Sequence, residues 1–234
     1  MADGTVTAPG VRDALITWFL AFVVSNVVGG IVLGATGHLG AHDPDPPLWL
    51  TASLQVPFWA VLVGGTVFFS HRKGTGDLAV DMRLRVEPRD AVIGVPTGVL
   101  TQVVLVPLLY LPIFWIFGHR DLSQDAKDLT DRANGAGVVL LILLVAVGAP
   151  IVEELFFRGF LMGALERTTG KAWALWISAL LFGAGHFEPL QTAALVLFGL
   201  VAGYLVQRYD RLGPSIFAHM GFNAVTIAVL LSQR

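Results

Sequence analysis

Seven apolar runs, at residues 14–36, 48–70, 91–118, 135–165, 172–187, 190–207 and 214–231, are separated by short polar stretches. A helix needs about 20 apolar residues to cross a bilayer core of about 30 Å, and most of the runs reach that length. The pattern predicts an all-α protein, a polytopic transmembrane helical bundle of about seven spanning helices. Gly29, Gly30 and Gly34 in the first run would allow close helix packing, and Trp49 suits an interfacial anchor at the start of the second. Pro96, Pro107 and Pro112 predict kinks or a re-entrant start in the third run, and Pro150 interrupts or bends the fourth. The short connections after residue 165 imply antiparallel neighbours. Residues 1–13 read as a polar tail, 38–47 as a loop rich in Pro, Asp and His, and 121–131 as a solvated outer loop. The first apolar run reads as a retained span rather than a cleaved signal peptide, with no internal repeat and no soluble domain.

Cations set the orientation. Arg72, Lys73, Arg83, Arg85 and Arg89 crowd the loop after the second run, which the positive-inside rule places in the cytoplasm together with the N-terminus. Residues 167–171 and 208–211 fall on the same side, whereas Arg120, Lys127 and Arg132 fall opposite. The expected location is the plasma membrane, with the lipid bilayer as the first partner.

Composition agrees. A mean hydropathy of +0.71, with 55% hydrophobic and 14% charged residues, is too apolar for a soluble domain of this size. A net charge of -2 offers no basic face for a nucleic acid. The absence of cysteine removes disulfides, thiolate ligands and a cysteine nucleophile.

Against this background Glu153, Glu154 and Arg158 are anomalous. Each charge at a helix centre costs about 2.5–3.5 kcal/mol on insertion scales, so the three should face protein or water, unless they mark a helix end at the membrane surface. On a helix, Glu154 and Arg158 are four apart with the acid first, the favourable order for an ion pair. Glu153 lies about 100° around the helix, without a partner in its own turn. This asymmetry assigns chemistry to Glu153 and a holding role to Glu154 with Arg158.

His186 closes the fifth run after Phe182-Gly183-Ala184-Gly185, and His219 lies four residues before Asn223 in the seventh. A lone histidine in an apolar helix is more often a satisfied core residue than a ligand; two of them with a glutamate and an asparagine favour a site. His38, His42, His71 and His119 fall in loops or at interfaces. An antiparallel hairpin turning at Gly170 brings Glu153 and His186 to similar depth, but straight helices leave His219 roughly 10 Å too low. If the groups converge, the carboxylate takes a proton from water, with or without a divalent ion, and the hydroxide attacks a carbonyl. His219 and Asn223 would then orient substrate or stabilise the oxyanion. No His-Glu-x-x-His helix and no Gly-x-Ser-x-Gly elbow occur, and Ser178 and Ser215 read as structural.

Glu-Glu-x-x-x-Arg at Glu153, Glu154 and Arg158, Phe-x-x-x-His at Phe182 and His186, and His-x-x-x-Asn at His219 and Asn223 resemble the CPBP family. That family comprises type II CAAX prenyl endopeptidases, bacteriocin-processing enzymes and abortive-infection proteins. The resemblance covers about residues 150–231 and implies an intramembrane protease core. It implies that Glu153 activates water with His186, and that His219 and Asn223 assist catalysis or substrate positioning. It leaves open whether Glu153, His186 and His219 hold a divalent metal such as zinc or work as a metal-free base. Residues 1–134 carry no recognised motif, and 135–234 form the expected catalytic helical core. The expected substrate is a membrane-associated protein or peptide. The competing functions are a non-proteolytic binding or immunity protein on the same fold and a proton or ion carrier.

Overall fold

Nine helices occur in the computed structural model, which describes residues 8–38, 48–118 and 124–233. They are α1 (Val11–Ala35), α2 (Leu48–Lys73), α3 (Leu78–Asp81), α4 (Pro88–Phe117), α5 (Gln124–Arg132), α6 (Ala136–Thr169), α7 (Lys171–Ala184), α8 (Thr192–Tyr209) and α9 (Gly213–Ser232). No strand is present among the described residues. Among the described residues six helices are long and apolar enough to cross a membrane, and α7 is a shorter apolar helix of 14 residues. The chain is an integral membrane protein built as a polytopic helical bundle. Its outer surface carries large apolar side chains such as Phe19, Trp115 and Trp173, each more than 60% exposed, as a lipid-facing wall requires.

Helix α6 occupies the middle. Residues 154–165 are buried on every side, a pattern possible only for a helix ringed by others. Phe157 meets Trp18 of α1 and Phe182 of α7 edge-on, and Phe160 meets Phe69 of α2. The prolines do not break α4 or α6. Instead both helices widen into π turns, at Thr101–Leu105 before Pro107 and at Ile142–Gly148 before Pro150. A proline has no N–H for the carbonyl a turn below, and a wider turn lets neighbouring groups re-pair around the gap. A third π stretch spans Glu154–Leu161.

Helices α4 and α9 run parallel in close contact. A Cβ on Gly98 would overlap the Ala218 carbonyl, and one on Gly221 would lie 2.6 Å from Val95 O. Small residues therefore set this crossing, as is common between membrane helices. In α1 the expectation for three glycines narrows to one: Gly29 lies against Leu54, whereas Gly30 and Gly34 have no neighbour within 4 Å of a built Cβ. The expected outer loop at 121–131 also needs correction, because Gln124–Arg132 is a helix. That stretch has no Gly or Pro, and Thr130 and Ala133 are buried next to Leu48 and Leu141, so packing on one face carries a segment that looks uniformly polar in sequence. Residues 1–7 of the expected tail, 39–47 of the expected loop with His42, and His119 lie outside the described residues.

Candidate active site

Asn223 shows how local chain chemistry assembles the site. The Ala149 N–H bonds to Leu144 O in the π turn, and Pro150 has no N–H to offer, so the Val145 carbonyl lacks a helical partner. The Asn223 side-chain Nδ2 donates to it at 2.8 Å. An asparagine on α9 thereby completes the backbone of α6 just before Glu153.

Glu153 then projects to one side and Glu154 to the other. Glu154 is wholly buried, and its Oε1 lies 3.1 Å from both Arg158 Nη1 and His219 Nδ1. The Arg158 guanidinium lies over the Phe182 ring at 4.3 Å, so an aromatic face supplements the single carboxylate. Glu153 Oε2 stands 3.9 Å from His186 Nε2 and 3.9 Å from His219 Nε2. Exposure rises from the holding pair outward: 0% for Glu154 and Arg158, 4% for His219, 12% for Glu153 and 32% for His186. The buried ion pair stands behind and the free carboxylate in front.

His186 reaches this point because α7 is short. Fourteen residues give about 21 Å of helix against about 30 Å of hydrocarbon, so the chain leaves the helix inside the apolar zone. Such backbone is tolerated where it lines a cavity. His186 Nδ1 donates to Phe182 O at 2.7 Å, and Phe187 follows with a positive φ of 57°. Both imidazoles thus commit Nδ1 as a donor, to Phe182 O or to Glu154, and turn Nε2 toward Glu153. Neutral rings in these tautomers offer Nε2 as a lone pair, and protonated ones offer a donor.

His219 does not sit too low. The turn between α8 and α9 is sunk into the protein: Arg211, Leu212 and Gly213 are buried, and the Leu212 and Gly213 amides donate to Arg83 O and Arg85 O. Arg211 grips Asp90 with Nε at 3.0 Å and Nη2 at 2.6 Å. A Cβ on Gly159 would touch Leu212 at 3.4 Å, so the turn lies level with Gly159, not Gly170. From that level Glu153 is six residues back and His219 seven forward, about 9 and 10.5 Å of helix. The helices need no tilt to bring them together.

Glu153, His186, His219 and Asn223 all line one cavity of about 460 Å³, whereas Glu154 and Arg158 do not. Beyond the ionisable groups its wall carries uncharged hydrogen-bonding side chains, Thr51, Gln55, Gln102, Gln191 and Thr226, with Trp59 and Leu195. A reading limited to charged residues and histidines misses these; the available signal was amide side chains inside apolar runs, Gln55 and Gln102 above all. Ser178 and Ser215 bond to Phe157 O and Leu212 O, structural partners both.

The expected metal set meets a geometric obstacle. Tetrahedral zinc with bonds near 2.0–2.1 Å sets neighbouring donors about 3.3 Å apart, well under the two 3.9 Å separations found. No trio of His, Asp or Glu among the described residues has metal-holding geometry. A water bonded to two groups at about 2.8 Å spans roughly 4.6 Å at the tetrahedral angle, so the 3.9 Å separations fall short of that spacing by about as much as they exceed the zinc one.

Residues 135–225 match the sequence family described as Type II CAAX prenyl endopeptidase Rce1-like. The match supports the resemblance to the CPBP family. All seven motif residues, from Glu153 to Asn223, fall inside this match. Over 118 residues, 50% of its length, the chain is 28% identical to a protein of Bacillus subtilis (strain 168) described as "Putative membrane peptidase YdiL". It spans about half of that relative, 48% of its length. No solved structure matches the chain.

Proposed function

We propose that this protein is an intramembrane endopeptidase that hydrolyses a peptide bond of a membrane-associated protein or peptide with a water activated by Glu153. The observation that carries the reading is the Glu153 carboxylate, set 3.9 Å from each of two imidazole Nε2 atoms at the inner end of a cavity within an apolar bundle. The similarity to a family described by its endopeptidase members supports it.

Glu153 accepts a proton from the water as the oxygen bonds to the scissile carbonyl carbon. The carbonyl oxygen becomes an oxyanion, and the donors at hand to meet it are the second Asn223 amide proton and the Nε2–H of an imidazole in its protonated form. The proton held by Glu153 then passes to the departing nitrogen as the C–N bond breaks. One product carries a new carboxylate and the other a new amine. Glu154 does not react; it fixes the His219 ring through Nδ1, and Arg158 balances its charge. No step is routed through a metal.

The test compares membranes from cells producing the wild-type chain or Glu153→Gln, with new protein N-termini mapped in each. Termini that appear with the wild type and vanish in the variant are expected. The same termini in both, at similar abundance, would refute the assignment.

A further inference from the structure

The two ends of the bundle differ in a way that the catalytic reading does not use. One end holds the start of α1, the α2–α4 connection and the α6–α7 and α8–α9 turns. The other holds the end of α4, helix α5, the loop from His186 to Gln191 and the end of α9. Of the 15 Lys and Arg residues, ten belong to the first end by their place in the chain, and Arg158 is interior. Four belong to the second: Lys127 and Arg132 in α5, and Arg120 and Arg234 in the stretches that follow α4 and α9. The positive-inside rule counts cations rather than net charge, so the ion pairs Lys73–Asp13, Arg83–Glu166 and Arg211–Asp90 do not weaken it. By that rule the first end is assigned to the cytoplasm.

The cavity runs the other way. From Glu153 and His219 it continues along Gln55, Gln191 and Thr226 to Leu48, Thr130 and Leu230, at the cation-poor end. No residue of the cationic turns lines it. Toward the cytoplasm the site is closed by Phe156, Phe160, Leu161, Met162, Phe182 and Phe198, each no more than 1% exposed. The plug measures about 10 Å along α9, from His219 to the buried turn at Leu212, and some 24 Å along α6, from Glu153 to the end of the helix.

We infer that the catalytic site is entered only from the extracytoplasmic side, so that its substrate is an extracytoplasmic segment of a membrane-anchored polypeptide. The inference rests on the endopeptidase reading for the word substrate, but its geometry stands without it. Water for hydrolysis enters from outside, and the fragment distal to the anchor leaves outside. The uncharged amides and hydroxyls of the wall suit an extended backbone, whose N–H and C=O groups need partners inside an apolar protein.

The absence of cysteine makes the test clean, since each variant carries one thiol. Ser232→Cys marks the cation-poor end, Gln191→Cys the cavity and Val80→Cys the cationic end. A membrane-impermeant maleimide is applied to sealed cells producing each full-length variant, before and after permeabilisation, with labelling in detergent as the reference for thiol content. Ser232→Cys and Gln191→Cys are expected to reach their reference labelling before permeabilisation, and Val80→Cys only after it. The inverse pattern, or labelling of Gln191→Cys only from within, overturns the inference. Labelling needs no turnover, so this result and the Glu153→Gln result stand or fall separately.

Discussion

Removing one member of the Glu154–Arg158 pair should cost far more than removing both. Both side chains are wholly inaccessible, so Arg158→Met alone strands a carboxylate and Glu154→Leu alone strands a guanidinium. Breaking a buried pair costs about 3–5 kcal/mol, which for a chain of this size corresponds to roughly 6–20 °C in apparent melting temperature. Replacing both with apolar side chains of similar volume is often neutral, so Glu154→Leu/Arg158→Met should melt within a few degrees of the wild type. Activity should not follow stability. His219 Nδ1 loses its 3.1 Å partner in the double variant, and a catalytic imidazole without its orienting acid loses up to about 10⁴-fold in rate. The assay pairs melting of the detergent-purified protein with cleavage in proteoliposomes. A double variant no more stable than the worse single one would refute the coupling; a stable double variant with wild-type cleavage would refute the role given to Glu154.

Three further outcomes are expected. Gly98→Leu should abolish folding, because its side chain would collide with backbone of α9, whereas Gly30→Ala, with open space at its Cβ, should be neutral or add up to about 1 kcal/mol; yield and melting temperature of the two decide it. Cleavage should survive exhaustive chelation, and loss of activity restored by added zinc would contradict the metal-free route. Burial would raise the Asp81 pKa, but hydrogen bonds from the Ser70 hydroxyl and the Thr75 and Gly76 amides outweigh it and hold it below its usual 3.8. A carboxyl with a depressed folded pKa stabilises above its unfolded value and stops doing so as pH falls through the folded one. The melting difference between wild type and Asp81→Asn should therefore be constant at neutral pH and shrink only below about pH 3.8.

The apolar helices were legible because hydropathy reports them directly: seven apolar runs became six helices long enough to span and one shorter one. The grouping of Glu153, His186, His219 and Asn223 was legible because lipid rejects such groups singly. Depth was not. The level of His219 depends on a turn held inside the protein by Arg83, Arg85 and Asp90, tertiary partners that no local spacing reveals. Asn223 was legible as a polar group but not as the partner of Val145 O, which follows from a π turn forced by Pro150. Helix α5 was hidden because its support lies in contacts with α9 and the start of α6 rather than in its own apolar content. The glycines of α1 illustrate the same limit, since composition permits close packing at three positions and the partner helix uses one.

The central claim is that the Glu153 carboxylate, facing two imidazoles, is the base. Its most direct test is the rate at which purified Glu153→Gln, reconstituted in proteoliposomes, cleaves a substrate found by terminus mapping. A fall of at least about 10²-fold with an unchanged melting temperature is predicted, the scale of a lost general base. Cleavage by Glu153→Gln at the wild-type rate would contradict it.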